Sequence, residues 1–534
     1  MMTSLLFLFP LAAAAASTPA VPCEALSKLA LPLTAITSAQ SVPAGPLTLP
    51  QGPPATVPDF CRVAGTIKPS SDSDIRFEVW LPASGWNGKF KGWGNGGYAG
   101  SLSWARMARA TSLGYATAST DSGHSGSGID ASWALGHPEK VLDYGYRAIH
   151  EMTVAAKAIA AAYYGRPVRR SYFYSCSNGG RQALMEAQRF PEDYDGLVAA
   201  APANEMTRLF TQGAWNRLAT EGEAASYVPA SKIPALEAAT LAQCDASDGV
   251  KDGVVDDPSA CSFRPASLLC PGAESDGCLT AAQVAALDKL YTGPRTATGA
   301  QVHPGLLAGG TEGPAGWLHW ITGSEPGKGQ IGTYGTQFFR YMVYEDPTWD
   351  FRTFQVDRDT KAADAKLAHI LNASDPDLSA FRRRGGKLIV WHGWSDAAIS
   401  ALNSIKYYEA VKAKMGARET DEFVRLFMAP GVQHCDGGPG PTGFIGPSAL
   451  KSDALHDIDL AVERWVEEGV APTQIIAAKY RTGSDPASGL VRTRPLCPYP
   501  QVARYKGTGS TDDAANFTCT AAVPVRGTLS SPTP

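Results

Sequence analysis

Apolar residues follow two alternating patterns along the first third of the chain. Short apolar stretches, some ending in glycine or small residues, are typical of strands, and longer stretches with helical spacing separate them. The strand-like stretches are 76–81, 90–94, 115–119, 171–175 and 197–201, and the helix-like ones are 141–164 and 181–190. This alternation predicts a parallel sheet with helical crossovers, which places the chain in the α/β class.

Residues from about 205 to 380 follow neither pattern clearly. This segment is rich in Gly and Pro and contains several Trp, four cysteines and an Asp-rich loop. Strand-like stretches return at 387–391 and 424–428, and a helical pattern follows at 455–468. The simplest interpretation is one α/β domain that a long insertion divides. The predicted parts are 17–204 for the first part of this domain, 205–380 for the insertion and 381–534 for the second part.

The chain begins with a hydrophobic segment. Residues 1–16 read MMTSLLFLFPLAAAAA and are followed by small residues. A run of this length is too short to cross a bilayer, and the small residues suit cleavage by a signal peptidase. We therefore expect a signal peptide at 1–16 and a mature protein that is secreted or periplasmic. Further along, a Pro-rich stretch at 42–58 predicts irregular surface chain.

The charge pattern bears on the class of partner. The 534 residues carry a formal net charge of −4, and the longest basic run has three arginines. This balance gives no electrostatic reason to expect nucleic acid or an acidic membrane. No segment after residue 16 approaches the length of about 18 apolar residues that a spanning helix needs. We expect a small-molecule partner, with neither nucleic acid nor a membrane.

A candidate nucleophile lies in the stretch SYFYSCSNGG at residues 171–180. An apolar strand runs into small residues around Ser177, and a helical pattern follows at once, which is the context of a nucleophile elbow. Ser175 stands where the usual G-x-S-x-G pattern has its first glycine. The alternative interpretation is a glycine-rich turn with an unreactive serine.

A serine nucleophile needs a base and an acid that orients the base. In α/β-hydrolases these follow in the order Ser, Asp or Glu, His. Asp396 follows the apolar stretch 387–391, and His434 follows 424–428, so we assign Asp396 as the orienting acid and His434 as the general base. His392 and His124 are expected to form structural hydrogen bonds near the site. His319 is expected to line the insertion.

An oxyanion hole needs backbone N–H donors. One donor should be the N–H of Asn178, which follows the nucleophile. The other should come from the glycine-rich loop after an earlier strand, and Gly97 is the first candidate there, with Gly96 next. A plain glycine turn is the alternative interpretation of this loop.

Ten cysteines, none of them in a CxxC pair, favour disulfides over a zinc site. Cys176 immediately precedes Ser177, and Cys435 immediately follows His434. If the nucleophile and the base are within hydrogen-bond reach, these two cysteines are close enough for a bridge. A disulfide between Cys176 and Cys435 would then lock the nucleophile to the base.

These motifs resemble those of the tannase and feruloyl esterase family. The resemblance rests on Cys-Ser, Asp and His-Cys, on the Gly-Asn-Gly-Gly loop, on TDSGH at 120–124 and on RTRPLCPYP at 492–500. It implies an α/β-hydrolase domain with a lid inserted between the Ser and Asp segments, and hydrolysis of esters of plant phenolic acids. It also implies five disulfide pairs: Cys23–Cys61, Cys176–Cys435, Cys244–Cys261, Cys270–Cys278 and Cys497–Cys519.

The insertion contains an acidic loop, CDASDGVKDGVVDD, at 244–257. Clustered carboxylates repel one another unless a cation or solvent separates them, and oxygen ligands of this density suit Ca²⁺. A solvated acidic turn is the alternative. The family resemblance implies a structural Ca²⁺ in the lid, and its implied ligands are the side chains of Asp245, Asp248 and Asp252 and the carbonyls of Val250 and Val254.

The insertion also supplies aromatic residues that could stack on an aromatic acid or form the core of the lid. These are Trp317, Trp320, Tyr334, Phe338, Phe339 and Tyr341. Arg340 is the candidate to pair with a free carboxylate on the acid portion of a substrate.

The sequence thus predicts a secreted serine carboxylesterase of the feruloyl esterase or tannase type, acting on aromatic, plant cell-wall or tannin esters. A hydrolase of mono(2-hydroxyethyl) terephthalate is the alternative within the class. A non-catalytic, calcium-stabilised secreted binding protein is the alternative of another class.

Overall fold

A computed structural model describes residues 19–313 and 315–521. The expected signal peptide at 1–16 lies outside the described residues. Within those residues, none of the helices combines the length and the apolar character that crossing a membrane requires.

The strands of the described residues fall into one large sheet and three two-stranded sheets. In chain order they are β1 (Thr34–Val42), β2 (Gly45–Leu47), β3 (Ala55–Val57), β4 (Phe60–Ile67), β5 (Ile75–Pro82), β6 (Lys89–Trp93), β7 (Ala116–Thr120), β8 (Arg170–Cys176), β9 (Gly196–Ala200), β10 (Lys387–Gly393), β11 (Val424–Ala429), β12 (Ile475–Tyr480), β13 (Leu490–Leu496), β14 (Gln501–Tyr505) and β15 (Phe517–Ala521).

The α-helices flank this sheet or build the insertion. In chain order they are α1 (Trp104–Ser112), α2 (Pro138–Leu142), α3 (Ala148–Tyr164), α4 (Asn178–Arg189), α5 (Met206–Glu221), α6 (Ile233–Cys244), α7 (Ala281–Thr292), α8 (Trp317–Trp320), α9 (Gln330–Gln337), α10 (Val356–Leu371), α11 (Ser379–Arg383), α12 (Leu402–Met415), α13 (Ala417–Asp421) and α14 (Ile458–Glu468). The helix predicted at 141–164 forms, and a π-helical turn at residues 143–147 joins α2 to α3.

The main sheet has the order β1-β4-β5-β7-β6-β8-β9-β10-β11. All seven strands predicted from the apolar pattern, β5 to β11, are confirmed as members of it. Neighbouring strands in the part β7-β6-β8-β9-β10-β11 are parallel. The pairs β1–β4, β4–β5 and β5–β7 are antiparallel. The sheet is therefore mixed, because an antiparallel edge extends the predicted parallel part.

Helices cover both faces of the sheet, so its central strands are buried on both sides. Along β8, Phe173 packs into the cluster that contains residues of α3 and α4. Its neighbour Tyr174 points the other way and packs with residues of α1 and α14. This two-sided burial explains why these strands appear in the sequence as apolar runs.

The insertion lies between β9 and β10, and in the described part of the chain it adds no strand to the main sheet. Its helices α5 to α10 share a separate aromatic core that includes Phe210, Trp317, Phe338 and Phe339. The chain therefore has an α/β-hydrolase fold with an inserted domain that sits over the carboxyl ends of the central strands.

The prediction of irregular chain at 42–58 was wrong in part. Strands β2 and β3 pair there as a short antiparallel ladder from Gly45 to Val57. Leu49 and Val57 are buried against the sheet and anchor this segment, which the prolines had obscured. The structure also contains all five disulfides that the family resemblance implies.

Candidate active site

Ser177 lies at a sharp turn between the end of β8 and the start of α4. Its backbone has a φ of 66° and a ψ of −124°, which a residue other than glycine rarely adopts. The Ser177 N–H donates to the Ala200 carbonyl at 2.9 Å, which ties the turn to β9. A Cβ at Gly179 would overlap Ser175, and one at Gly180 would overlap the Ala200 carbonyl. The small residues of this motif are thus required by close packing of the turn.

His434 and Asp396 lie beside this serine, on the loops after β11 and β10. The Nε2 atom of His434 is 3.0 Å from Oγ of Ser177. On the other side of the ring, Nδ1 of His434 is 2.7 Å from Oδ2 of Asp396. The structure therefore brings together the three residues assigned from the sequence, in the order that a serine hydrolase requires.

Asp396 is fully buried and is held in its ionised form. Burial acts to raise the pKa of this carboxyl, but His434 and His392 outweigh it and lower the pKa below the ordinary value. Its Oδ1 accepts the backbone N–H groups of Ala398 and Ile399 at 2.8 and 2.9 Å. A charged acceptor with these partners is fixed in position and keeps His434 oriented.

His392 has a structural role next to the acid, as expected. Its Nε2 lies 3.1 Å from both Oδ2 of Asp396 and the Ile399 carbonyl oxygen. Because both partners only accept, this nitrogen carries the proton. The other nitrogen, Nδ1, is 2.7 Å from the hydroxyl of Ser404, which can donate to it. His392 therefore gives the orienting acid a second ring partner.

The other two histidines singled out in the sequence, His124 and His319, each pack against an aromatic ring. His124 is buried, stacks on Trp133 and lies 2.6 Å from the Tyr98 carbonyl through Nε2. Burial lowers the pKa of His124 to about 4, so it is neutral at physiological pH. His319 packs edge-on against Trp320, and burial followed by the nearby His434 lowers its pKa.

A cleft of about 370 Å³ opens over Ser177 and His434. This volume is at the lower end of the range for small-molecule sites. Gly97 and Asn178, the expected oxyanion donors, both line it, as does Gly96. Gly97 has a φ of 53°, and a Cβ there would overlap the Gly128 carbonyl. Asn178 is fixed through its side chain, whose Oδ1 accepts Nε of Arg181 at 2.8 Å.

The insertion supplies an apolar wall to the cleft. Of the six lid aromatics singled out in the sequence, Trp320 and Tyr334 line the cleft. The Trp320 ring lies edge-on to His434 with centroids 4.8 Å apart. The other four belong to the lid core or pack against it: Trp317, Phe338, Phe339 and Tyr341. Arg340 does not line the cleft, because its Nε donates to the Trp349 carbonyl at 2.9 Å.

Several residues of the cleft were missed by the sequence analysis. The apolar ones come from α5, α9 and the loop after Asp396, and one cation comes from α1: Met206, Leu209, Phe210, Ile331, Ala398, Ile399 and Arg106. Those of α5 follow β9, the strand after α4, but helical spacing alone does not distinguish a side chain that faces the cleft from one in the core.

The acidic loop of the lid folds on itself. The Asp245 carboxylate accepts the N–H groups of Asp252 and Gly253, and that of Asp248 accepts those of Val250 and Asp256. The Asp252 carboxylate also pairs with two arginines of β13, Arg492 and Arg494.

The fit of this loop to Ca²⁺ is partial. Burial, and then the charges of Asp252 and Asp245, raise the pKa of Asp248, which is a repulsion that a cation would relieve. The donor set is all oxygen, as Ca²⁺ prefers. Among the described residues, however, no three acidic, histidine or cysteine side chains are placed to hold a metal ion. A calcium site at this loop therefore stays a prediction.

Comparison with known proteins places these features in context. Residues 61–520 match the family model described as tannase and feruloyl esterase. An uncharacterised esterase from Xanthomonas campestris pv. campestris is 44% identical, over 93% of this chain and 91% of its own length. The mono(2-hydroxyethyl) terephthalate hydrolase of Piscinibacter sakaiensis is 36% identical, over 88% of this chain and 86% of its own. The crystal structure of feruloyl esterase B from Aspergillus oryzae superposes with a TM-score of 0.86 at 32% identity, covering 93% of this chain and 99% of the other.

Proposed function

The chain belongs to the tannase and feruloyl esterase family and is a carboxylic ester hydrolase, and from this premise we propose that Ser177, His434 and Asp396 hydrolyse esters of hydroxycinnamic or gallic acids. The observation that carries the proposal is the continuous contact from Ser177 Oγ through the His434 ring to Asp396, at 3.0 and 2.7 Å. Such a chain of contacts converts a weakly nucleophilic hydroxyl into one that attacks an ester carbonyl.

Acylation begins with proton transfer from Ser177 to His434. As Oγ of Ser177 forms a bond to the ester carbonyl carbon, Nε2 of His434 takes the hydroxyl proton. The resulting imidazolium is stabilised by ionised Asp396. Collapse of the tetrahedral intermediate breaks the bond to the alcohol oxygen, and His434 returns the proton to this leaving group.

The negative charge on the tetrahedral intermediate needs donors in fixed positions. The N–H groups of Asn178 and Gly97 are proposed for this role, since both residues line the cleft at Ser177. Asn178 is also the first residue of α4, where the helix dipole favours negative charge.

Deacylation repeats these steps with water in place of the alcohol. His434 removes a proton from water as the water oxygen bonds to the acyl carbon. The Ser177 oxygen then leaves and takes that proton from His434. The products are the free aromatic acid and the regenerated serine.

The proposed class of acid rests on the walls of the cleft. Phe210, Trp320 and Tyr334 line it together with aliphatic residues of α5 and α9. Aromatic walls of this kind bury a planar phenolic ring favourably. Because none of the described residues of the lid wall has a charged side chain, a neutral phenolic acid is favoured.

Hydrolysis of a terephthalate monoester is the second candidate, and it is favoured by the 36% identical relative from Piscinibacter sakaiensis. The free carboxylate of a terephthalate monoester would need a cation in the lid. Arg340, which the sequence suggested for this role, is engaged with Trp349 instead. The non-catalytic binding protein that the sequence left open is not supported, because the chain is a carboxylic ester hydrolase.

Export from the cytoplasm and a structural Ca²⁺ are also part of the proposal. Five disulfides, with no free cysteine among the described residues, support an oxidising compartment. The Ca²⁺ would be held by the side chains of Asp245, Asp248 and Asp252 with the carbonyls of Val250 and Val254. It would stiffen the lid without entering the chemistry.

Hydrolysis of methyl ferulate, methyl gallate and mono(2-hydroxyethyl) terephthalate, measured side by side with the purified protein, tests the proposed substrate class. We expect the highest kcat/KM with one of the two phenolic esters. Preference for the terephthalate monoester would replace the proposed class with the second candidate.

A further inference from the structure

Arg106 is the one residue with a permanently charged side chain among those that line the cleft in the described part of the chain. It lies in the first turn of α1, directly after the glycine-rich loop, and it is exposed. Of the described residues that line this cleft, none has an acidic side chain. Within the described residues, the Arg106 side chain has no hydrogen bond and no ion pair, and it contacts two aromatic rings, so its guanidinium donors are available to a ligand.

Two aromatic rings hold this guanidinium in place. Its central carbon is 5.7 Å from the ring centroid of Trp93 and 5.4 Å from that of Tyr174. Both rings are buried, and they pack edge-on to each other with centroids 6.1 Å apart. A guanidinium that rests on two fixed rings loses less conformational freedom on binding than a free one, which favours a role in recognition.

The position of Arg106 relates it to the alcohol portion of the substrate. Its supporting rings, Trp93 and Tyr174, belong to the hydrophobic cluster that also contains Cys176 and contacts Cys435. Cys435 follows His434, whose proton goes to the leaving alcohol. The apolar lid wall belongs to a different cluster, on the insertion side. With the acyl ring against the lid wall, the alcohol extends toward Arg106.

We propose that Arg106 forms an anion subsite that selects esters whose alcohol portion carries a carboxylate. This inference rests on the proposed function, because it assumes that the aromatic acid occupies the lid side of the cleft. A guanidinium presents paired N–H donors that match a carboxylate, and it stays charged across the whole working range of pH. A cleft with this one fixed cation and no acidic lining residue attracts such an alcohol and gives no advantage to a neutral one.

The direct test compares two substrates of nearly equal shape. Feruloyl glycolate carries a carboxylate on its alcohol portion, and feruloyl glycolamide has a neutral amide in its place. We expect the wild-type protein to prefer the glycolate by about tenfold in kcat/KM, the ratio that corresponds to about 1.4 kcal/mol. In Arg106→Gln this preference should disappear through a higher KM for the glycolate, so that the ratio of the two kcat/KM values falls to about one.

Arg109→Gln is the matched control. Arg109 lies one turn further along α1 and does not line the cleft, so this variant removes the same charge from the same helix. It should keep the preference for the glycolate. Equal loss of preference in both variants would mean that net charge alone is responsible and would overturn the subsite.

The remaining outcomes separate this inference from the proposed function. Equal wild-type activity on the two feruloyl esters would leave the esterase function intact and overturn the anion subsite. If neither ester is hydrolysed, the proposed function fails and the subsite fails with it. A loss of mono(2-hydroxyethyl) terephthalate hydrolysis in Arg106→Gln, with the glycolate preference unchanged, would place Arg106 on the acid side and overturn its assignment to the alcohol.

Discussion

Cys176 and Cys435 form a disulfide that joins the residue before Ser177 to the residue after His434. Their Cα atoms are 5.9 Å apart, and 259 positions separate them in the chain. The link spans the whole insertion, so the relative position of Ser177 and His434 does not depend on the packing of the lid alone. The bridge thus constrains the geometry of the proposed active site and the unfolded chain at the same time.

Replacement of both cysteines, Cys176→Ser with Cys435→Ser, should therefore reduce both stability and turnover. For a loop of this length, chain-entropy reasoning gives a loss of up to about 5 kcal/mol in the free energy of unfolding. We expect kcat to fall by at least tenfold, since a displacement of about 1 Å between reacting groups has effects of this order or larger. Urea unfolding and steady-state kinetics measure the two losses.

The pair Cys270 and Cys278 provides a control for this variant. It closes a loop of only 8 positions in the insertion, and neither residue lines the cleft. Removal of this bridge should lower stability modestly and leave kcat unchanged. If the two double variants have the same kcat, the bridge at the active site has no role in catalytic geometry.

Much of this site followed from local sequence, because its geometry depends on short-range rules. The turn at Ser177 requires small residues at Gly179 and Gly180, and strands buried on both faces produce apolar runs that a pattern search detects. The order of Ser177, Asp396 and His434 then follows from the order of the strands. These features are encoded within about ten residues of each member of the proposed triad.

Other features depend on tertiary contacts that no local pattern encodes. Strand β1 is an edge strand whose residues are half-buried or exposed, so it has no continuous apolar signal. In the insertion, Trp317 is in the core, whereas Trp320, three residues later, lines the cleft. The two differ only in which neighbours cover them. Arg106 was missed because a single arginine in a helix is usually a solvated surface residue.

Asp121 makes stability depend on pH in a direction that can be measured. Burial raises the pKa of this carboxyl to about 7. The hydrogen bonds that it accepts from the N–H groups of Gly123 and Arg76 lower the pKa, but by less than burial raises it. A raised pKa means that the folded state binds the proton more tightly than the unfolded state. The contribution of Asp121 to the free energy of unfolding is fully present below pH 3.8, its ordinary pKa. It is lost as the pH rises toward about 7.

Asp121→Asn should remove this dependence, because the amide keeps an acceptor for the two N–H groups and does not ionise. We expect the variant to gain stability relative to the wild type as the pH rises from 5 to 8, by more than about 1 kcal/mol. Urea unfolding at several pH values measures the difference. A constant difference across this range would show that Asp121 has the same pKa in both states.

Removal of Ca²⁺ should destabilise the insertion if the acidic loop binds the ion. At a free Ca²⁺ concentration of about 100 times its dissociation constant, binding adds about 2.7 kcal/mol to the free energy of unfolding. Dialysis against EGTA should lower the Tm, and added Ca²⁺ but not Mg²⁺ should restore it. Asp248→Asn should abolish the response to Ca²⁺, whereas an unchanged Tm in EGTA would show that the loop is stable without a metal.

The proposed mechanism depends most directly on Ser177 as the nucleophile. The decisive measurement is the hydrolysis of methyl ferulate by the wild type and by Ser177→Ala, together with peptide mapping after treatment with a fluorophosphonate. If Ser177 is the nucleophile, we expect a single label on Ser177, and a loss of kcat by a factor of at least about 10⁴ in a variant whose Tm is within a few degrees of the wild type. Retained turnover in Ser177→Ala, or a label on another serine of the wild type, would contradict the proposed mechanism.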